Sequence, residues 1–170
     1  MVAIPVYAEG VNFYVADSAV STTTPEYPGA SIAVGTRVAG TDGSEWIKVI
    51  AGGTVAAGDV ALITTNSTFT AQSMTSALAK GKLGQQVGVV GAAATVGQFF
   101  WLQVAGYVAS VAATTGQAAF TVLSSTTTAG RIGAASAGVS AKVTGLVLLA
   151  TAASNVAAAV LTNPAVGTDD

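Results

Sequence analysis

The sequence predicts an all-β protein, a small barrel or sandwich preceded by an extended N-terminal arm. Short apolar runs rich in valine, isoleucine and alanine alternate with glycine-containing turns, as in "WIKVIAGGTVAAGDVALI". Similar runs recur later in the chain. Only 8% of the residues are charged, against about 25% in a typical soluble domain. This composition favours strands built from small side chains and a surface that associates with other protein.

The first 31 residues are predicted to form the arm. Pro5, Pro25 and Pro28 remove backbone donors, and "SAVSTTTPEYPGAS" has the composition of irregular structure. The same segment contains four of the eleven aromatic residues, which indicates that it packs against the body or a neighbouring subunit. We expect these four side chains to form the partner-contacting part of the arm. They are Tyr7, Phe13, Tyr14 and Tyr27.

The body begins with a predicted β-hairpin. An Asp-Gly dipeptide at residues 42–43 separates two strand-like runs, and this dipeptide is a strong signal for a two-residue turn. In the second run, the alternation of a strand places Trp46 and Lys48 on one face and Ile47 and Val49 on the other.

The rest of the body is predicted to contain two related β-meander units, residues 56–110 and 114–166. Gly58 and Gly116 align as the starts of equivalent runs, and the tryptophan-containing runs "WIKVIAGGTV" and "WLQVAGYV" align with "AAVLTNPAV". The spacing of about 55–58 residues is too long for a solenoid repeat. Two such units packed together would protect their strand edges in one closed or nearly closed structure.

Two segments fall outside this strand pattern. Residues 72–80 ("QSMTSALAK") form the one stretch compatible with a short helix. Residues 167–170 are expected to be a solvated tail, so the predicted body spans residues 32–166.

The side chains that most catalysis needs are missing. The chain has no histidine and no cysteine, which removes the common general base, the thiol nucleophile and the thiolate metal ligand. Asp42 and Glu45 bracket a turn, and Asp59 follows a turn glycine, where a carboxylate caps backbone donors. A calcium site needs six or more converging oxygen ligands, and no loop has that pattern. The sequence therefore predicts no enzyme activity, catalytic residue, cofactor or metal site.

The charge pattern also limits the partners. Between Val60 and Thr168 there is no acidic residue, and the four bases there are too dispersed for a nucleic-acid footprint. The most membrane-like run, Val143–Leu161, is interrupted by polar residues and consists largely of alanine, which favours buried strands over a membrane span. We therefore expect neither nucleic-acid nor membrane binding. Low charge favours a homo-oligomer, a dimer or a trimer.

Trp46 and Trp101 have two possible roles. An exposed tryptophan could stack on a sugar, whereas a tryptophan on a strand of a small β-protein usually lies in the core or at a subunit contact. The scarcity of other large apolar side chains favours the core or subunit contact.

Three stretches carry a resemblance to a known class of proteins: "GTRVAGTDGSEWIKVIAGGTVAAGDVALI", "VGVVGAAATVGQFFWLQVAGYV" and "TGLVLLATAASNVAAAVLTNPAV". Together they resemble capsid decoration (cement, head-stabilising) proteins of tailed bacteriophages, through the spacing of glycines and small residues over most of residues 32–166.

The resemblance implies a structural virion protein that is made in the host cytoplasm and binds the outer surface of an assembled head. There it would stabilise contacts between subunits of its partner, the major capsid protein. The sequence also allows two alternatives. One is a tail or fibre component, and the other is a surface carbohydrate-binding module that uses Trp46 and Trp101.

Overall fold

The computed structural model describes residues 32–65, 67–135 and 140–169, and their regular secondary structure is almost entirely β-strand, which confirms the predicted all-β class. They form ten strands and one short helix, α1 (Ser76–Ala79). The strands are β1 (Arg37–Ala39), β2 (Glu45–Ala51), β3 (Val60–Thr65), β4 (Thr70–Ser73), β5 (Val87–Val90), β6 (Phe99–Ala112), β7 (Leu123–Ser125), β8 (Ile132–Gly133), β9 (Ala141–Leu148) and β10 (Val156–Asp169).

All ten strands belong to one sheet, in the order β1-β2-β4-β3-β5-β6-β10-β9-β7-β8. An additional pairing joins β2 to β6, so hydrogen bonding runs in a closed circuit through β2, β4, β3, β5 and β6. The β2–β4 pair is parallel, and the other strand pairs are antiparallel. The first half of the 14-residue strand β6 pairs with β2 and its second half with β10. This strand therefore links the circuit to the β10–β9–β7–β8 part of the sheet.

Two apolar cores follow from this arrangement. One is formed mainly by strands of the circuit and includes Val49, Ile63, Phe100 and Leu102. The other is larger and joins side chains of β9 and β10 to side chains of β3, β5 and the second half of β6. Each fully buried aliphatic or aromatic side chain contributes about 1.5–3 kcal/mol of transfer free energy, and the cores together therefore order the long strands.

The predicted hairpin and the predicted helix are both present. β1 pairs antiparallel with β2 around the 42–43 turn, with Val38 opposite Trp46. Helix α1 lies inside the predicted stretch 72–80 and begins after Thr75, whose hydroxyl accepts a hydrogen bond from the backbone N–H of Leu78 at 3.1 Å. This cap satisfies one of the free donors of the first turn.

A 39-residue internal symmetry relates two segments of the circuit, residues 51–59 and 90–98. The ladder that pairs β2 with β6 includes Ile50 opposite Phe99, and the ladder that pairs β5 with β3 includes Val89 opposite Val60. The two registers correspond when 39 is added to the residue number on β2 and subtracted from the residue number on β6. The pair Ile50–Phe99 then becomes Val89–Val60, and the pair Lys48–Trp101 becomes Val87–Leu62. The exchange therefore maps the β2–β6 ladder onto the β5–β3 ladder. It does not extend to the whole circuit, because β5 pairs with β6 whereas β2 pairs with β4 rather than with β3.

This relationship differs from the predicted repeat of 55–58 residues. The turns at Gly58 and Gly116 do have the same shape, with φ of 83° and 84°. The runs that follow them differ, because β3 begins two residues after Gly58, whereas the next strand after Gly116 begins at Leu123. The tryptophan-containing strands are direct neighbours in the sheet, with Lys48 opposite Trp101.

Arg37 connects the edge strand β1 to two distant parts of the sheet. Its guanidinium donates to the Oε1 atom of Glu45 at 2.9 Å and to the Oδ1 atom of Asn163 at 2.8 Å. It also donates to the Oε1 atom of Gln86 at 2.9 Å, next to β5. The rigid fork of arginine suits such a multiple contact, so this side chain holds β1, β5 and β10 in one arrangement.

Candidate interaction surface

The four aromatic residues predicted to anchor the arm, Tyr7, Phe13, Tyr14 and Tyr27, lie outside the described residues. Their contact role stays a prediction.

Trp46 and Trp101 are core side chains, 3% and 4% exposed, and they pack with Ile32 and Val38. The indole Nε1 of Trp46 donates a hydrogen bond to the Oγ atom of Ser44 at 2.8 Å, which satisfies its polar atom. Neither indole ring is open to solvent, so stacking on a sugar would require the fold to open. The carbohydrate-binding alternative required exposed tryptophan rings, and Trp46 and Trp101 are buried.

Lys48 lies on the same face of β2 as Trp46 and is also buried. Its ammonium lies 5.0 Å from the centre of the Phe99 ring, in the geometry of a cation–π interaction. The outward face of β2 and early β6 is therefore a packed layer of aromatic rings and one lysine.

The carboxylates of the turns have structural partners. Asp42 Oδ1 accepts hydrogen bonds from the hydroxyl of Ser44 at 2.5 Å and from the Ser44 backbone N–H at 3.0 Å. The hydroxyl bond is the main cause of a lowered pKa for Asp42. Asp59 Oδ2 accepts from the backbone N–H of Ala56 at 3.0 Å and from the Ser73 hydroxyl at 2.6 Å. Asp59 thus caps a turn, as its position after a glycine suggested.

No metal-binding group of acidic residues forms within residues 32–65, 67–135 and 140–169. Asp42 and Asp59 lie in separate turns, and Glu45 is paired with Arg37.

The most distinctive surface is the outer side of the three-stranded unit β6–β10–β9. Val160 on the central strand β10 lies opposite Tyr107 on β6 and opposite Val147 on β9. Directly opposed residues of adjacent strands point to the same side of a sheet. Tyr107 is 59% exposed and Val147 is 40% exposed, so this row of apolar side chains faces solvent.

Further apolar residues extend this row. Val156 lies on the same face of β10, and Leu149 follows β9, where its backbone N–H donates to the carbonyl of Ala158 at 2.9 Å. Phe120 and Val122 lie beside β9 and are 73% and 67% exposed. We call the whole set the outer apolar face. It comprises the exposed residues Tyr107, Phe120, Val122, Val147, Leu149 and Val156 and the half-buried Val160.

Phe120 is presented by unusual backbone geometry. Its φ of 57° lies in the left-handed region, which is rare for a bulky side chain. The backbone N–H of Phe120 donates to the Leu148 carbonyl at 3.2 Å, and the neighbouring Thr121 hydroxyl donates to the Ala118 carbonyl at 2.9 Å. These bonds fix the backbone of the turn, and the Phe120 side chain projects from it with 73% of its surface exposed.

Polar groups border the outer apolar face. At the Val156 end, Arg131 and the Thr115 hydroxyl both donate to the Oδ1 atom of Asn155, at 3.2 Å and 3.0 Å. At the other end of β9, Lys142 follows the first residue of the strand. An apolar centre with aromatic residues and a polar rim is the usual anatomy of a protein interface.

The sequence analysis did not predict this apolar face, although the sequence contains a pattern that indicates it. The run Val143–Leu161 is apolar at both odd and even positions, so strands formed from it have apolar side chains on both faces. The apolar residues left over, such as Val147 and Leu149, had to be either exposed or covered by something else.

Comparisons with protein-family models, with curated proteins and with solved structures find no match for this chain. Among the residues that the structure describes, none of the helical structure is long and apolar enough to span a membrane.

Proposed function

We propose that this protein is a structural virion component that binds the outer surface of an assembled phage head and stabilises contacts between capsid subunits. The observation that carries the proposal is the outer apolar face, with its two prominent aromatic side chains and its polar rim. A surface of this kind fits stable association with protein rather than catalysis.

The fold suits this task physically. The closed circuit through β2, β4, β3, β5 and β6 is, in this proposal, the small barrel that the sequence predicts, and it gives a rigid support for the face. A head presents the same site many times, so weak contacts from single copies sum to strong attachment of the layer.

The partners in this proposal are the major capsid protein and further copies of this chain, as a dimer or a trimer. The arm, residues 1–31, would reach a neighbouring capsid subunit and add main-chain hydrogen bonds at a sheet edge. Its aromatic residues would fill pockets there. Those anchors are Tyr7, Phe13, Tyr14 and Tyr27.

The test is the stoichiometry of this chain in gradient-purified particles, measured against the major shell protein. A ratio near one, or a simple fraction of it, supports a head-stabilising layer and indicates the oligomeric state. A handful of copies per particle would assign the protein to the tail or fibre. Absence from the particles would overturn the virion proposal.

A further inference from the structure

The three-stranded unit β6–β10–β9 is apolar on both of its sides. Along β10, Ala159 and Leu161 are buried in the larger core, whereas Val160 between them points outward. Along β9, Leu148 is buried in the same core, and its neighbour Val147 points outward. An antiparallel sheet with one side in water usually alternates apolar and polar residues. This unit instead has the pattern of strands that are covered on both sides.

The apolar area that it exposes is that of one half of a protein interface. The outer apolar face holds six of the eight large hydrophobic side chains exposed among the described residues, with exposed fractions from 38% for Leu149 to 73% for Phe120. A whole aromatic side chain offers about 150–250 Å², so these fractions amount to about 500 Å². Apolar atoms make up about 60% of an interface, and about 500 Å² therefore belongs to an interface of about 800 Å² per partner. This is the usual area of a stable dimer.

The shape of the face selects another sheet as its cover. Its centre is a flat set of small, half-buried side chains on β10, Ala158 and Val160, between Tyr107 on β6 and Val147 on β9. Two sheets pack face to face about 10 Å apart, with their strand directions within about 30° of each other. A second copy of the chain presents a sheet of the same twist and the same apolar composition.

The charges of the chain allow two copies to meet at this face. Only 8% of the residues are charged, and no acidic residue occurs between Val60 and Thr168, so the contact buries few groups that need to keep their water. The bases Arg131 and Lys142 lie at the rim, and Arg131 already donates to Asn155 at 3.2 Å. A contact between the same face on two copies is isologous, and it closes as a dimer instead of growing into a fibre.

We propose that the outer apolar face joins two copies of this chain in a two-fold dimer, with β10 of each copy near the centre of a two-layer sandwich. The inference rests on the proposed function only in taking a further copy of the chain as a partner. Such a dimer carries two copies of every other surface of the protein. Its attachment to a repeated lattice would therefore be bivalent, which strengthens binding without any new contact.

The first test is the mass of the full-length protein in solution, measured by sedimentation equilibrium over a range of concentrations. We expect twice the mass of the chain. Val147→Glu and Tyr107→Glu should each raise the dissociation constant of the dimer at least about tenfold, because the contact would strip water from an unpaired carboxylate. Val96→Glu is the matched control, since Val96 is 69% exposed but precedes β6 and lies outside the face. Far-ultraviolet circular dichroism shows that each variant is folded.

The second test locates the contact. In isotope-filtered NMR spectra of mixed labelled and unlabelled chains, the methyl groups of Val147, Val156 and Val160 should show contacts with the unlabelled copy. The methyl groups of Val96 should show none. Contacts at Val96 in place of the three face residues would assign the dimer to another surface and overturn the proposal.

The remaining outcomes separate this inference from the proposed function. A monomer at every concentration, a trimer, or a dimer that Val147→Glu weakens no more than Val96→Glu would overturn the inference. A monomer that binds purified heads and loses that binding in Val147→Glu would assign the face to the shell protein, and so would overturn the second copy as its occupant while leaving the proposed function in place. A dimer joined through the face but absent from phage particles would support the inference and overturn the proposed function.

Discussion

Asp59 and Gln98 have the same role in two turns that are 39 residues apart. A side-chain oxygen of each accepts a hydrogen bond from the backbone N–H three residues earlier, from Ala56 at 3.0 Å and from Thr95 at 2.7 Å. The backbone N–H of each donates to the carbonyl of that same earlier residue, at 3.1 Å and 3.0 Å. The 39-residue correspondence between the two ladders therefore extends to the side chains that close the adjoining turns.

The two positions should nevertheless differ in their contribution to stability. Asp59→Ala removes a charged acceptor that also holds the Ser73 hydroxyl, and should lower the free energy of unfolding by about 1.5–3 kcal/mol. Gln98→Ala removes a neutral acceptor and should lower it by about 0.5–1.5 kcal/mol. Urea unfolding measures both. Asp59→Asn, which retains an acceptor oxygen, is the control, and it should fall between wild type and Asp59→Ala. Equal losses for both alanine variants would contradict this account.

Gly106 is predicted to be intolerant of any side chain. It lies where β6 leaves β2 for β10, its φ is 92°, and a Cβ atom would lie 2.8 Å from the Cα atom of Ser44. Gly106→Ala should lower the free energy of unfolding by about 2–5 kcal/mol, because it combines left-handed strain with a backbone clash. Gly43 has a similar φ of 80° but open space around it, so Gly43→Ala should cost about 1–2 kcal/mol. Similar losses of unfolding free energy in the two variants would show that the close approach of Ser44 to Gly106 does not contribute to the effect.

Tryptophan fluorescence should report the burial of both indoles. Trp46 and Trp101 are the two tryptophans of the chain, and both lie in the core. We expect a blue-shifted emission maximum and weak quenching by acrylamide in the folded protein, with strong quenching after denaturation. Oligosaccharides should leave the emission unchanged. Strong acrylamide quenching in the native state would restore the carbohydrate-platform alternative.

Asp42 should titrate below its ordinary pKa of 3.8 because of the hydroxyl of Ser44. Since the folded-state pKa lies below the unfolded-state pKa, this group stabilises the fold above the ordinary value. The contribution is lost as pH falls through the lowered value. The side chain is exposed, so the contribution is at most about 1 kcal/mol. NMR titration of the Asp42 carboxyl group should give a midpoint below 3.8, and Ser44→Ala should raise it. An unchanged midpoint in that variant would rule out the hydroxyl as the cause.

The sequence predicted those features of the fold that depend on neighbouring residues. The hairpin at 42–43 depends on an Asp-Gly dipeptide and the short helix on a capping Thr75, and both signals are local. The 39-residue symmetry could not be read in this way, because residues 51–59 and 90–98 share few identities. Their equivalence lies in strand register, which is fixed by pairing across long separations.

The candidate surface was harder to predict for a different reason. The alternation that assigns a strand's faces fails when both faces are apolar, as around Val147 and Val160. Which face becomes the core depends on the strands that pack against it. The positive φ of Phe120 likewise accompanies a hydrogen bond from its backbone N–H to Leu148 at the end of β9, and no sequence pattern predicted it.

Removal of residues 1–28 separates the contributions of the arm and the body. Ile32 and its contacts with Trp46 remain, so we expect a folded body with an unchanged far-ultraviolet circular dichroism spectrum and a cooperative thermal transition. If the arm supplies the anchors on the head, the truncated protein should no longer bind purified heads that lack the full-length protein, as measured by co-sedimentation. A full-length variant with serine at the four aromatic positions is the matched control, since it keeps the length and charge of the arm. It should bind weakly. Wild-type binding by the truncated protein would show that the head contacts lie on the body, and would remove Tyr7, Phe13, Tyr14 and Tyr27 from the proposed interface.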